Sequence, residues 1–174
     1  MPDTTLSEVL KEAYASAPAG VIIHHTLELR HPAFSAPIRV VRDHVNLTAT
    51  LEASAPVDAS TAVLFQAFNF EFTKPDISPN GVPQMTVEID NVNQVIVANL
   101  EAALTSADMI EATYREFIST DLSVPQNDPP IHMTIMNALA DAFKVKSTAG
   151  FLDLINRRFP VDEYDSETFP GLVS

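Results

Sequence analysis

The stretch MTVEIDNVNQVIVANLEAALTSADMIEATYREFI, residues 85–118, contains three structural elements in succession. In residues 85–90, Met, Val and Ile alternate with Thr, Glu and Asp, which is the period of a strand with one buried and one solvated face. In residues 92–103, apolar side chains recur every three or four positions, which predicts a helix. Residues 109–118 alternate again and are rich in aromatic and β-branched side chains. The stretch therefore predicts a strand, a helix that covers a sheet, and a second strand.

Further strands are predicted where β-branched or alternating side chains run through residues 21–30, 38–42, 45–52, 62–73, 131–136 and 142–148. The first three are joined by short connections, which favours an antiparallel meander. In the fourth, Phe68, Phe70 and Phe72 lie on one side, so we expect one strand with an aromatic stripe in the core. The last two predict a hairpin, although the Ala-rich residues between them would also suit a helical turn.

Helical spacing also marks the start of the chain, where apolar side chains recur at Leu6, Val9, Leu10, Ala13 and Tyr14. The fold class predicted from these elements is α+β and mostly antiparallel β. We expect a barrel or a sandwich packed by one main helix, with a short N-terminal helix and an extended C-terminal tail.

Domain organisation follows from the distribution of these elements. Residues 1–160 are expected to form a single β-rich domain, and residues 161–174 a C-terminal extension. The extension is acidic and lacks periodicity, yet it retains Tyr164, Phe169 and Leu172. A solvated tail seldom keeps three large apolar side chains, so we expect it to dock, either on its own subunit or on a neighbouring one.

Two loops are also predicted. Residues 121–130 contain three prolines and cannot join the interior of a sheet, so we expect an exposed, stiff loop. Residues 74–83 contain the turn dipeptide Asn80-Gly81 and predict a long hairpin connection. Both loops are available for contacts between subunits.

Composition narrows the function classes. The 174 residues include 23 acidic and 10 basic side chains, for a formal charge of −13, which disfavours specific binding to nucleic acid or to anionic membranes. The absence of Cys excludes disulfides, thiolate metal sites and cysteine nucleophiles. No run of 18 apolar residues occurs, and no basic segment followed by an apolar one opens the chain, so we expect a soluble protein without a membrane anchor.

No catalytic, cofactor-binding or metal-ligating set is predicted. His24 and His25 are adjacent on a predicted strand and point to opposite faces, which prevents them from binding one ion together. The nucleophile-elbow pattern GxSxG is missing, and 4 Gly are too few for a phosphate-cradling loop. Arg157 and Arg158 form the only adjacent basic pair. They suit either local acids at a helix C-terminus or carboxylates of a neighbouring subunit.

A resemblance to a known family is carried by several motifs in a fixed order: LELRHPAF, FNFEFTKP, GVPQMTVEIDNV, YREFISTDLSVPQNDPP, LINRRFP and FPGL. The chain resembles, over residues 6–172, a family of bacteriophage tail proteins known as a domain of unknown function. More distantly, its sheet, helix and Y-x-x-F pattern resemble the N-terminal region of the minor tail protein L of lambda-like phages.

The resemblance implies a structural, non-enzymatic component of the tail tip of a long-tailed phage. Such a subunit is assembled in the host cytoplasm and links the distal tail tube to the central hub around the DNA channel. The implied partners are other tail-tip and hub proteins and further copies of the chain in a ring, with a trimer favoured. The implied intersubunit contacts are Arg157, Arg158, Tyr164, Phe169 and Leu172. Lambda-type L proteins carry an iron–sulfur cluster on Cys ligands, so no cluster and no other cofactor is expected in a chain without Cys.

Two alternatives from other function classes stay open. The first is a free small-molecule or carbohydrate-binding β-domain, which requires a concave, aromatic-lined pocket. The second is an enzyme whose polar groups are scattered along the sheet edges and converge only in the fold.

Overall fold

The computed structural model describes residues 6–16, 18, 20–73, 84–90, 98–99, 102–103, 106, 108–140 and 144–150. The described elements are one helix and nine strands: α1 (Glu8–Ser16), β1 (Ile23–Arg30), β2 (Ile38–Val41), β3 (Leu47–Thr50), β4 (Ala62–Ala67), β5 (Phe70–Thr73), β6 (Gln84–Asp90), β7 (Glu111–Ile118), β8 (Ile131–Ala140) and β9 (Lys144–Gly150). The predicted α+β, mainly β class is confirmed.

The nine strands form one mixed sheet in the order β3-β4-β2-β1-β7-β8-β9-β6-β5. Its longest pairing joins β1 to β7 in antiparallel register from Ile23↔Ile118 to Arg30↔Glu111. All named pairings are antiparallel except a short parallel one between β2 and β4. The predicted antiparallel preference is therefore confirmed.

The predicted meander is wrong in its third strand. β1 and β2 pair as expected, but β3 does not follow β2 in the sheet, because β4 lies between them. β4 pairs with β2 through Val40↔Gln66 and with β3 through Leu47↔Phe65. Thus β3 closes a hairpin with the strand that follows it along the chain.

Residues 62–73 form two strands rather than the predicted single strand. β4 is the second strand from one end of the sheet and β5 is the terminal strand at the other end, yet only Phe68 and Asn69 separate them. Strands lie about 4.8 Å apart, so β5 would be roughly 24 Å from β1 in a flat sheet. The rings of Phe72 and His25 are instead 5.2 Å apart. The sheet must therefore curl until its two ends approach each other.

The curled sheet is not closed, so the predicted barrel is wrong. β3 and β5 are its terminal strands, and they do not pair with each other. Its inner face holds the main core, to which seven strands contribute: Leu27, Leu29, Ile38, Val40, Phe70, Met85, Val87, Ile89, Ala112, Tyr114, Met133 and Ala149. Phe68 and Phe72 pack against this cluster, which confirms the Phe stripe as core.

Helix α1 packs at one end of the inner face. Ser7 accepts a hydrogen bond from the Leu10 amide through its side chain, as an N-cap does. Leu10 and Ala13 then pack on Ile118, with Ile23 beside them. The predicted N-terminal helix is confirmed, and it extends the core beyond the last residues of β7.

A second core lies on the outer face. The β3–β4 hairpin folds over this face, so that Phe65 contacts Phe117 with ring centroids 6.0 Å apart. Leu47, Ala49 and Leu51 belong to the same cluster. The outer face of β7 is consequently buried, although it alternates in sequence like a solvated one.

The β8–β9 hairpin is confirmed, and the helical alternative for its middle is wrong. β8 continues through Ala140, and a register shift between Ile135 and Asn137 marks a bulge. β7 covers β8 only over residues 131–134.

The predicted strand, helix, strand unit is confirmed in its strands, β6 and β7. They are not neighbours, because β8 and β9 lie between them. Ala98, Asn99, Ala102 and Ala103 are helical, and the rest of the predicted main helix lies outside the described residues.

Candidate functional site

A network of buried charged side chains lies on the outer face of β1, β2 and β7. The strand period places Glu28 and Arg30 on one face of β1, and the register places Arg39 opposite Glu28 on β2. Arg115 projects to the same face from β7, because its neighbour across the sheet is Thr26. Arg115 and Glu28 are both 0% exposed. Charged side chains are rarely buried so completely unless they are paired.

Arg115 is paired with Glu52, which follows β3. Its Nε and Nη2 atoms donate to the two carboxylate oxygens of Glu52 at 2.7 and 2.8 Å, in the bidentate geometry that suits a guanidinium. Nη1 of Arg115 lies 3.7 Å from Oε1 of Glu28. Arg115 thus joins the β3–β4 connection to the centre of the sheet.

Glu28 is the acidic centre of the network. Arg39 donates to its Oε2 at 2.7 Å through Nε, and to Oδ2 of Asp58 at 2.7 Å through Nη2. Arg30 lies 3.3 Å from Oε1 of Glu28 and 2.9 Å from Oε2 of Glu111. Asp58 has a backbone φ of 55°, the left-handed conformation that Asp tolerates in turns.

The ion pairs shift the pKa values of two groups in the network, Glu52 and Arg39. Burial alone would raise the pKa of Glu52, but the hydrogen bonds and charge of Arg115 outweigh it, so this pKa lies below its ordinary value. Burial likewise opposes the charge of Arg39, yet the hydrogen bonds to Glu28 and Asp58 raise its pKa. Both groups are therefore ionised at neutral pH, and the network acts as an electrostatic clamp on the connection between β3 and β4.

A second polar cluster lies on the inner face, around Glu116. Tyr114 and Tyr14 both donate to Oε1 of Glu116, and Nδ1 of His25 lies 2.7 Å from the Tyr114 hydroxyl. Burial, together with the nearby Glu116 carboxylate, raises the pKa of Tyr114. Tyr114 therefore stays protonated and acts as a hydrogen-bond donor rather than as a base. The ring of Phe72 lies 4.8 Å from that of Tyr114, so the cluster braces the curled ends of the sheet and α1.

A cleft of about 540 Å³ opens beside Arg30. Its polar side is formed by Arg30, Glu111, Asp108, Ser35 and Thr134, and its apolar side by Pro32, Phe34, Ala36, Pro37, Val57 and Met109.

His31 fixes the wall of this cleft. Its Nδ1 atom accepts a hydrogen bond from the Ala33 amide at 3.0 Å, so Nε2 carries the proton and donates to the Asp108 carbonyl at 3.1 Å. The imidazole thus ties the β1–β2 connection to residue 108.

The histidines behave as predicted in orientation. His24 contacts Asp43 at 3.1 Å, whereas His25 points to the inner face and contacts Tyr114. Burial and the nearby guanidinium groups of Arg115 and Arg30 lower the pKa of His132. Within the described ranges, no three His, Asp or Glu side chains are placed to hold a metal ion, and no helix is long and apolar enough to cross a bilayer.

The predicted exposed loop at 121–130 is wrong in its second half. Gln126 and Asn127 are buried, and they pair with the part of β7 that β8 does not cover. The Gln126 amide donates to the Glu116 carbonyl at 2.7 Å, and the Asn127 side chain accepts from the Glu116 amide at 2.8 Å. The prolines keep the loop from forming a regular strand. Its polar groups nevertheless make hydrogen bonds to the backbone of β7 where β8 does not pair with it.

The predicted contact residues Arg157, Arg158, Tyr164, Phe169 and Leu172 lie outside the described residues, as do the extension 161–174 and the loop 74–83. The charged network and the cleft were not predicted from the sequence. The available signal was the run of charged residues inside apolar strands, at Glu28, Arg30 and Arg115.

Comparison with known protein families covers most of the chain. The model of a protein family described as a domain of unknown function (DUF1833) matches residues 9–164. No curated protein matches the chain.

Proposed function

The chain belongs to the DUF1833 family, and from this premise we propose that it is a structural subunit of the tail tip of a long-tailed phage. In that role it links the distal end of the tail tube to the central hub around the DNA channel, as part of a ring of identical copies. The order of the motifs from LELRHPAF to FPGL supports the proposal, because it resembles phage tail proteins over residues 6–172.

The observation that carries the proposal is the free edge of the β8–β9 hairpin. Residues 136–140 of β8 pair with β9 on one side, while β7 ends its pairing at residue 134. Among the described residues, no strand covers the other side of this part of β8. Met136 and Leu139 are exposed there, Leu139 to 67%. An exposed strand edge with large apolar side chains is a surface that pairs with another chain.

The polar network supports a structural role. Its charged groups pair with one another across the sheet and hold the β3–β4 connection in place. The proposed ring also uses the C-terminal extension, in which Tyr164, Phe169 and Leu172 dock on the neighbouring subunit. We favour threefold symmetry, that of the hub.

The charge of −13 supports a position beside DNA. An acidic wall repels a polyanion over about 8–10 Å at physiological salt, so DNA slides past it without adhering. The subunit belongs to the virion and is assembled in the host cytoplasm.

The cleft favours the alternative of a small-molecule or carbohydrate-binding domain, because 540 Å³ lies within the usual range of ligand sites. Among the described residues, however, Phe34 is the only Phe, Tyr or Trp that lines it. We prefer the tail-tip function, because it accounts for the free strand edge and the ligand-binding alternative does not.

The direct test is to purify phage particles and to find the chain in the tail tip by mass spectrometry and electron microscopy. We expect Leu139→Glu to reduce its copy number per particle about tenfold, which corresponds to about 1.4 kcal/mol at the interface. Leu64→Glu is the matched control, because Leu64 is also an exposed strand leucine, at 52%, but lies on β4. Particles without the chain, or equal incorporation of both variants, contradict the proposal.

A further inference from the structure

We infer that residues 157–160, Arg-Arg-Phe-Pro, dock in the cleft beside Arg30 of their own chain. Phe159 then packs among the apolar residues of the cleft, and Arg157 and Arg158 approach Asp108 and Glu111. This assignment stands apart from the tail-tip function and does not depend on it.

The first argument is the position from which the C-terminal segment leaves the sheet. Gly150, the last residue of β9, is the register partner of Thr134, and Thr134 is the register partner of Glu111. Thr134 and Glu111 both line the cleft. Adjacent strands lie about 5 Å apart, so Gly150 is roughly 10 Å from Glu111.

The length of the connection is sufficient. Phe159 lies nine positions after Gly150 in the sequence, and an extended chain spans about 3.3 Å per residue, or roughly 30 Å. The segment reaches the cleft with slack. A tether this short holds the segment at an effective concentration of about 1 mM, so a site with a Kd below about 1 mM is mostly filled.

The second argument is charge. In the network and the cleft together, five carboxylates face three guanidinium groups: Glu28, Glu52, Asp58, Asp108 and Glu111 against Arg30, Arg39 and Arg115. The side chain of Glu111 remains 61% exposed although it contacts Arg30. A cationic segment complements this surface, and Arg157 with Arg158 is the only adjacent basic pair in the chain.

The third argument is the apolar side of the cleft. Met109 is 61% exposed and Val57 is 40% exposed, beside Phe34 and two prolines. Phe159 with Pro160 supplies apolar surface of a size that fits about 540 Å³. The cleft and the segment thus match in size and in charge, and the connecting chain is long enough to join them.

The absence of Cys makes a direct test possible in the full chain. We expect the double variant Met109→Cys, Phe159→Cys to form a disulfide within one chain on mild oxidation. Non-reducing electrophoresis and peptide mass spectrometry identify it. The matched control is Ile22→Cys, Phe159→Cys, because Ile22 is 56% exposed but lies at the opposite end of β1, roughly 25 Å from Arg30.

A charge exchange tests the ionic part. Asp108→Arg and Arg158→Asp, each added to the Met109→Cys, Phe159→Cys background, should slow disulfide formation about threefold, the range of a surface ion pair. The two together should restore the original rate.

Each result decides the question. A disulfide within one chain at Met109 and not at Ile22, with rescue by the charge exchange, supports docking in the same chain. A disulfide between two chains assigns the cleft to the segment of another copy and overturns the inference. Equal rates for the Met109 and Ile22 pairs, or single charge changes without effect, overturn it as well.

Discussion

Arg115 and Glu28 are the residues at which local sequence pattern and fold differ most. Glu28 lies between two leucines, and Arg115 follows Tyr114. A charged side chain that alternates with an apolar one along a strand is ordinarily expected to face water. The prediction of alternation is right, since His24 and His25 do point to opposite faces. The sequence pattern does not show that a second layer, the β3–β4 hairpin, covers the outer face of the sheet. The β3–β4 hairpin covers these positions from a distance of 63 residues along the chain, through the pair Arg115–Glu52.

Glu52→Gln should lower the free energy of unfolding by about 2–4 kcal/mol at pH 7, because it leaves the buried Arg115 guanidinium without its carboxylate. The folded pKa of Glu52 lies below its unfolded value, so its stabilisation is present above about pH 5 and is lost as the pH falls through the folded pKa. The difference between wild type and variant should therefore shrink toward pH 3. Urea unfolding at several pH values measures it.

The matched control is Glu8→Gln, since Glu8 contacts Lys11 at 3.0 Å with a side chain that is 91% exposed. This variant should change stability by less than about 0.5 kcal/mol at every pH. A difference for Glu52→Gln that is constant between pH 7 and pH 3 would mean that Arg115 does not depend on the ionised carboxylate. The Glu52 carboxylate raises the pKa of His132, so this histidine titrates differently in the two proteins and adds to the pH dependence of their difference.

At the scale of elements, side-chain periodicity predicts whether a segment is a helix or a strand better than it predicts where that element lies in the sheet. The hairpin β8–β9, the strands β6 and β7 and the helix α1 follow from their side-chain spacing. The split of residues 62–73 into β4 and β5 does not follow from this spacing. Phe68 and Asn69 continue the alternating pattern of the strands, yet at these two residues the chain crosses from one end of the sheet to the other. The same holds for the parallel contact of β2 with β4, since strand partners are chosen by the tertiary fold.

Helix α1 offers a test with adjacent residues. Leu10 is 0% exposed in the cluster with Ile118, whereas Val9 is 56% exposed. Leu10→Ala should lower the free energy of unfolding by about 2–4 kcal/mol through lost burial and a cavity. Val9→Ala should alter it by less than about 0.5 kcal/mol. Similar losses for the two variants would contradict the packing of α1 by one face, and denaturant titration distinguishes the outcomes.

At the scale of the whole molecule, composition limits the function classes but does not define the surface. The absence of Cys excludes thiolate chemistry, and the acidic charge disfavours binding to nucleic acid. The cleft depends on the β1–β2 connection meeting residues 108–111, a juxtaposition of segments about 75 residues apart that no local motif encodes.

The acidic charge gives a prediction for the assembled particle. If the ring lines the DNA channel, replacing its channel-facing carboxylates by amides should slow DNA ejection, because the repulsion that prevents adhesion is reduced. Time-resolved release of DNA from purified particles measures the rate. Equal changes on the outer surface serve as the control, and an unchanged rate for the channel variants would remove the electrostatic part of the proposed role.

The register of β1 with β7 has a consequence for synthesis. Thr26 and Arg115, which face each other across the sheet, are 89 residues apart in the chain. At about 5–20 residues per second, a ribosome makes β1 roughly 5–20 s before its long partner exists. During that time the edge of β1 that later pairs with β7 is exposed, and we expect chaperones to bind it. A nascent chain that terminates before β7 can form neither the central ladder nor the charged clamp, so stable folding requires synthesis to continue past this point.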